Sequence, residues 1–215
     1  MANLLDSIKE YITPELISQA AKSLGENEGG ISKAIGGLAS TLLAGFLNKA
    51  NDAEAMSNIF NKLSIFDSGS LDNLAGLIGG GNLAQNDPKD AAGQLLGVVF
   101  GAKVPAITNA VAAFSGTKSS SVSVLLGMVG PLVMGILSKK IETEQVQPTG
   151  FANLFVKEKN SILGALPTGL GSIIGLADLG EEESAETATG SRWLWPLLLL
   201  LGFGGGIISY LRSCS

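Results

Sequence analysis

Nineteen consecutive residues, Trp193 to Leu211, carry no charge, and Arg192 and Arg212 bracket them. As a helix rising 1.5 Å per residue this stretch is about 28 Å long, close to the ~30 Å hydrocarbon core of a bilayer. Trp193 and Trp195 at one end and Tyr210 at the other suit the aromatic belts of the two membrane interfaces. Pro196 falls in the first turn, where its missing N–H is least costly. The segment reads as a single C-terminal transmembrane helix with Arg192, Trp193, Trp195, Tyr210 and Arg212 at its interfaces. The competing reading is a buried core helix, but an apolar surface on every side favours lipid. Gly202 with Gly206, and Gly205 with Ser209, have the small-x-x-x-small spacing that lets two membrane helices approach closely. Glycine is also common in membrane helices generally, so helix pairing and plain composition both remain open there.

The charge distribution extends this division along the chain. Residues 178–191 hold five acids and no base, whereas the preceding body is nearly balanced. The expected organisation is a helical domain over 1–142, a short helical module over 143–177, an acidic tether over 178–192, the span at 193–211 and a tail at 212–215. Charged residues make up 15 % of the chain, well below the usual ~25 %, and 46 % are hydrophobic. That balance excludes a disordered chain. A net charge of -5 argues against nucleic acid as a partner.

Within the body the apolar residues recur at threes and fours, and the turns carry helix punctuation. Leu4, Leu5, Ile8 and Ile12 give a short amphipathic helix. Thr13-Pro14-Glu15 reads as N-cap, first-turn proline and first-turn acid of a helix that stops at Gly25. A further helix spans from near Glu28 to Lys49, and Asn51-Asp52 caps one carrying Met56, Ile59, Phe60 and Leu63. Leu71 to Ile78 and the stretch from Asn86-Asp87-Pro88 to Phe100 follow, then Val104 to Phe114 and Ser119 to Lys139. Gly93, Gly97 and Gly101 recur every four residues, and helical glycine costs roughly 1 kcal/mol relative to Ala. Close approach of a neighbouring helix would explain them. Ser119 to Ser138 is uncharged throughout, but its serine-rich start and its Pro131 favour a central buried helix over a second span. In 143–177, Phe151, Leu154, Phe155, Ile162, Leu166, Leu170 and Ile174 mark short helices broken at Pro167. About 35 residues cannot hold a core, so this module must dock on the body or on another copy.

Catalytic groups are scarce. The chain has no His and one Cys, Cys214, which removes the commonest acid–base group, the commonest metal ligand and any internal disulfide. Gly79 to Gly81 lacks the Lys of a phosphate-binding loop. Asp87/Asp90 suits a helix start and Glu142/Glu144 a solvated helix end better than an acid–base pair. Cys214 fits a plain thiol better than a lipidated one. We therefore expect no enzyme, no cofactor and no metal.

The order and spacing of several Gly/Leu stretches carry a resemblance. They are ISKAIGGLASTLLAGFLNKA (31–50), LDNLAGLIGGG (71–81), GQLLGVVFG (93–101) and SVSVLLGMVGPLVMGIL (121–137). Together they make residues Leu16 to Lys140 resemble the bacterial family catalogued as domain of unknown function 937. FANLFVKEKNSILGALPTGLGSIIGL (151–176) is similar to the module that follows that domain in Bacteroidota members. Many such relatives continue through a membrane helix into a peptidoglycan-binding domain. The resemblance supplies no catalytic residues.

The combined expectation is an all-α bacterial protein of the inner membrane, single-pass, with its N-terminal domain cytoplasmic because residues 1–16 do not form a signal peptide. The expected role is a scaffold or self-association domain. Its partners would be membrane lipid, further copies of itself, or another envelope protein. A pore former using residues 91–138 as a hydrophobic hairpin is the first alternative. Lipid or small-molecule binding within the helical core is the second.

Overall fold

Local sequence signals set the helix boundaries. A computed structural model of the chain describes residues 3–64 and 96–176. It begins with α1 (Leu4–Tyr11), α2 (Pro14–Leu24), α3 (Glu28–Lys49) and α4 (Ala53–Ser64). Each starts where a side-chain oxygen can accept one of the N–H groups that the first turn leaves unpaired. The Asn3 Oδ1 accepts from the Asp6 N–H at 2.8 Å, and the Thr13 Oγ1 from Leu16 at 3.3 Å. The Asn27 Oδ1 accepts from Gly30 at 2.6 Å, and the Asp52 Oδ1 from Ala55 at 2.9 Å. Gly25 closes α2 in the left-handed region, at φ 62°, where a Cβ would be strained.

Residues 96–100 are helical, a 3₁₀ turn covers Gly101–Lys103, and α5 (Val104–Ser115) and α6 (Ser119–Thr143) follow. Three short helices complete the described chain: α7 (Pro148–Lys157), α8 (Lys159–Gly164) and α9 (Leu170–Ile174). The architecture is all-α, with no strand among the described residues.

Helix α3 is the axis of the bundle, and every other labelled helix packs against it. Residues 34–48 carry no charge, and Gly37 to Leu47 are all buried. An element apolar on every face must be enclosed on every face. The second interior element is the C-terminal half of α6, buried from Val129 to Ser138. Sequence reasoning gave α6 the central place; α3 has the stronger claim, because the first half of α6 carries serines and leaves Val124 51 % exposed. Helix α5 packs on both, so α3, α5 and α6 form the core.

Polar groups inside this core are satisfied locally. The Ser40 and Thr41 hydroxyls both donate to the Gly37 carbonyl, at 3.1 and 2.6 Å, and Ser115 donates to the Val111 carbonyl at 2.7 Å. Among the described residues no buried side-chain nitrogen or oxygen lacks a partner, as a well-formed interior requires.

The chain divides into two units, residues 1–176 and 177–215. Residues 143–176, expected as a short helical module that docks on the body or on another copy, fall in the same unit as the body. Helix α7 packs on α3 and α4 through a row of rings. Phe46 meets Phe155 at a centroid distance of 5.4 Å, Phe155 meets Phe151 at 5.2 Å, and Phe151 meets Phe60 at 5.5 Å. Phe151 and Phe155 are wholly buried. So short a segment gains its core only by sharing that of the body.

Three helical stretches among the described residues are long and apolar enough to cross a membrane: Glu28–Lys49, Leu96–Ser115 and Ser119–Thr143. The single C-terminal span expected from sequence is therefore not unique by length and composition. Within the fold, the apolar 18-residue window of Glu28–Lys49 is 83 % buried and that of Ser119–Thr143 72 % buried, against 39 % for that of Leu96–Ser115. The proposed span at 193–211 lies outside the described residues, together with Arg192, Trp193, Trp195, Gly202, Gly205, Gly206, Ser209, Tyr210, Arg212 and Cys214. So do the acidic tether and the helix expected at 71–78. The helix expected from Asn86 is described only from residue 96 onward, so Gly93 and the Asp87/Asp90 pair lie outside as well.

Candidate functional site

The glycines that permit close packing are not the ones the sequence spacing suggested. A Cβ at Gly97 or Gly101 would meet nothing within 4 Å, and both residues are exposed. Among the described residues no neighbour makes the close approach expected there. Gly101 instead sits at φ 53°, in the left-handed region, where the helical stretch of 96–100 gives way to the 3₁₀ turn. The close approaches lie on α3. A Cβ at Gly45 would collide with the Phe100 ring and fall 2.6 Å from Val99, and one at Gly30 would fall 2.8 Å from the Thr117 methyl. The ISKAIGGLASTLLAGF pattern contains Gly45 but gives no sign of which helix will lie on it.

The stretch 96–115 presents a broad uncharged face. Gly97, Val98, Ala102, Ala106, Ala113 and Phe114 are exposed along it, with Val98 at 40 % and Phe114 at 48 %. Lys103 is the one charged residue of the stretch. Charge-poor exposed faces of this kind are a mark of interaction surfaces.

Two surface clefts flank α1. One, of about 390 Å³, lies between α1 and α6. Its charges balance: the Lys140 Nζ is 2.7 Å from the Glu144 Oε1, the Lys139 Nζ donates to the Tyr11 hydroxyl at 3.3 Å, and Glu10 shares the cleft. Glu142 and Glu144 lie at the exposed end of α6. The other cleft, of about 240 Å³, lies between α1, α3 and the end of α5, and its wall is almost entirely apolar. Inside the core, the void lined by Leu38, Leu42, Phe100 and Leu126 measures about 10 Å³, room for no more than one water.

Two carboxylates hold helix ends over long sequence separations, and sequence reasoning singled out neither. The Glu26 Oε1, in the α2–α3 turn, accepts from the Lys118 N–H at 3.0 Å and the Ser121 hydroxyl at 2.7 Å. It thereby caps α6, whose own N-cap residue supplies no side-chain bond. Those hydrogen bonds, the Lys118 N–H first, hold the Glu26 carboxyl below its ordinary pKa. The Glu158 Oε2, at the α7–α8 break, accepts from the Leu4 N–H at 2.6 Å and caps α1. Here loss of water around the group outweighs that bond and pushes the carboxyl above its ordinary pKa. The only sequence signal was an acid standing just beyond a helix end.

Among the described residues no group of His, Cys, Asp and Glu has the geometry to hold a metal ion. What the described surface offers is a charge-poor helical face and an apolar cleft on an all-helical bundle. The chain belongs to the bacterial family of unknown function DUF937, which matches residues 6–140, more than half of its length. The match takes in most of α1, beyond the Leu16 start read from sequence, and ends within α6. No curated protein and no solved structure matches the chain.

Proposed function

We propose that this protein is a membrane-anchored scaffold whose helical body associates with further copies of itself. The observation that carries the reading is the uncharged exposed face of 96–115, which only Lys103 interrupts. Interface cores are depleted of charge in the same way. The apolar 193–211 segment supplies the anchor in this reading, as a single pass with the N-terminal body on the cytoplasmic side of the inner membrane. Anchoring raises the effective concentration of copies and makes even a weak face productive.

Cross-linking of the full chain in native membranes tests this. Dimers or larger species are expected, and they should disappear on Ala106→Glu, which places a charge in the middle of the face. Monomer alone, with no stable partner, would reject the proposal. The competing pore reading draws support from the low burial of Leu96–Ser115. Expression without residues 192–215 separates the two: the scaffold reading expects a soluble helical product, whereas the pore reading expects continued membrane insertion.

A further inference from the structure

The apolar cleft on the α1 side carries a second inference, although it shares Phe114 with the 96–115 face. Leu5 and Ile8 of α1, with Ile12 just past its end, form one wall, Gly36 and Gly37 of α3 form the floor, and Phe114 closes the far side. Gly37 has a packing reason to be glycine, since its Cβ would lie 3.2 Å from Pro167 and 3.5 Å from the Phe114 ring. Gly36 has none. It stands inside a helix, exposed, at a point where a Cβ would meet nothing within 4 Å. Alanine there would favour the helix, yet the glycine leaves the cleft floor bare. Phe114 is a large ring left 48 % exposed at the edge of the same cleft.

The charge at this cleft is one-sided. Its charged lining residues are Lys9 and Lys33, in a chain whose net charge is -5. Lys9 keeps an exposed contact with Asp6 at 3.2 Å, and Lys33 forms no ion pair among the described residues. The neighbouring cleft between α1 and α6, with Glu10 and Glu144 beside its lysines, shows no such imbalance. An occupant that suits both features is apolar over most of its surface and carries a negative charge. At about 240 Å³ the space falls just under the ~300–1,000 Å³ range of drug-sized sites, which suits one slender chain better than a folded ring system or a helix.

We propose that this cleft binds the single aliphatic chain of a fatty-acid carboxylate, with the chain along α1 and the head group toward Lys9 and Lys33. The full chain in nanodiscs, titrated with ¹³C-carboxyl dodecanoate against empty nanodiscs, tests it. Saturable binding is expected. Gly36→Leu, which fills the floor with a good helix former, should weaken it at least tenfold while circular dichroism shows an unaltered helical fold. The double variant Lys9→Gln/Lys33→Gln should weaken dodecanoate several-fold and leave dodecanol unaffected, a difference that mere loss of fold would not produce. Binding no greater than to empty nanodiscs would overturn the proposal, as would binding that Gly36→Leu leaves intact. Loss of cross-linked oligomers in Gly36→Leu would also overturn it, by making the occupant a second copy.

Discussion

Helix α3 and the stretch 96–115 are similar in character and have opposite surroundings. Both are dominated by small and aliphatic residues, both carry few charges, and both are long and apolar enough to cross a membrane. Yet α3 is enclosed by every other labelled helix, while 96–115 leaves most of one side uncovered. Composition therefore indicates that a segment avoids water without saying what replaces the water. For α3 the replacement is the rest of the fold. For the outer face of 96–115 it is supplied from beyond this chain in the proposal above.

The sharpest way to break the comparison is to damage the enclosure of α3. Phe155 is wholly buried against Phe46 and Phe151, so Phe155→Ala should cost about 3–5 kcal/mol of stability, read by denaturant unfolding. Gly45→Ala comes next. Its new methyl would collide with the Phe100 ring and Val99, and overpacking of this kind costs about 1–3 kcal/mol. Gly97→Ala should do the reverse, because nothing lies within 4 Å and alanine favours a helix by up to about 1 kcal/mol. A Tm that falls in the first glycine variant and rises in the second would confirm that one glycine is packed and the other is open.

The two long-range caps give a smaller and pH-dependent contrast. Glu26 is held below its ordinary pKa, so its contribution is present above the unfolded value and is lost as pH falls through the folded one. Glu26→Gln should lower Tm near neutral pH, and the difference should close on strong acidification. Glu158 is held above its ordinary pKa, so its contribution is full below the unfolded value and is lost as pH rises through the folded one. Glu158→Gln keeps an acceptor for the Leu4 N–H without a partly desolvated charge. It should raise Tm slightly at neutral pH, with the gain fading toward pH 4. Thermal melts of both variants across pH 3–8 would reveal whether the two carboxylates respond with opposite signs.

The helices were legible in the sequence wherever their signals are local. Thr13-Pro14-Glu15, Gly25 and Asn51-Asp52 each act within a few residues, and α2 begins and ends, and α4 begins, where those residues predict. Much less of the candidate site could be read. The spacing of Gly93, Gly97 and Gly101 suggested close packing, but a repeat of four says only that residues share a helix face. It does not say whether that face meets another helix or open space. Glu26 and Glu158 went unnoticed because the N–H groups they accept from lie 92 and 154 residues away. Phe114 read as one more apolar residue of its helix, since its exposure depends on where α1 and α3 lie around it.

The opening feature, a charge-free run of nineteen residues, and the capped apolar helices before it were fixed by residue identity alone, because hydrophobic periodicity, capping and charge exclusion act along the chain. The tertiary structure decided which apolar helix lies at the centre, which glycines are packed against a neighbour, and where a cleft with lysines at its rim opens. Those outcomes depend on distances between segments far apart in sequence, which periodicity along one segment cannot encode.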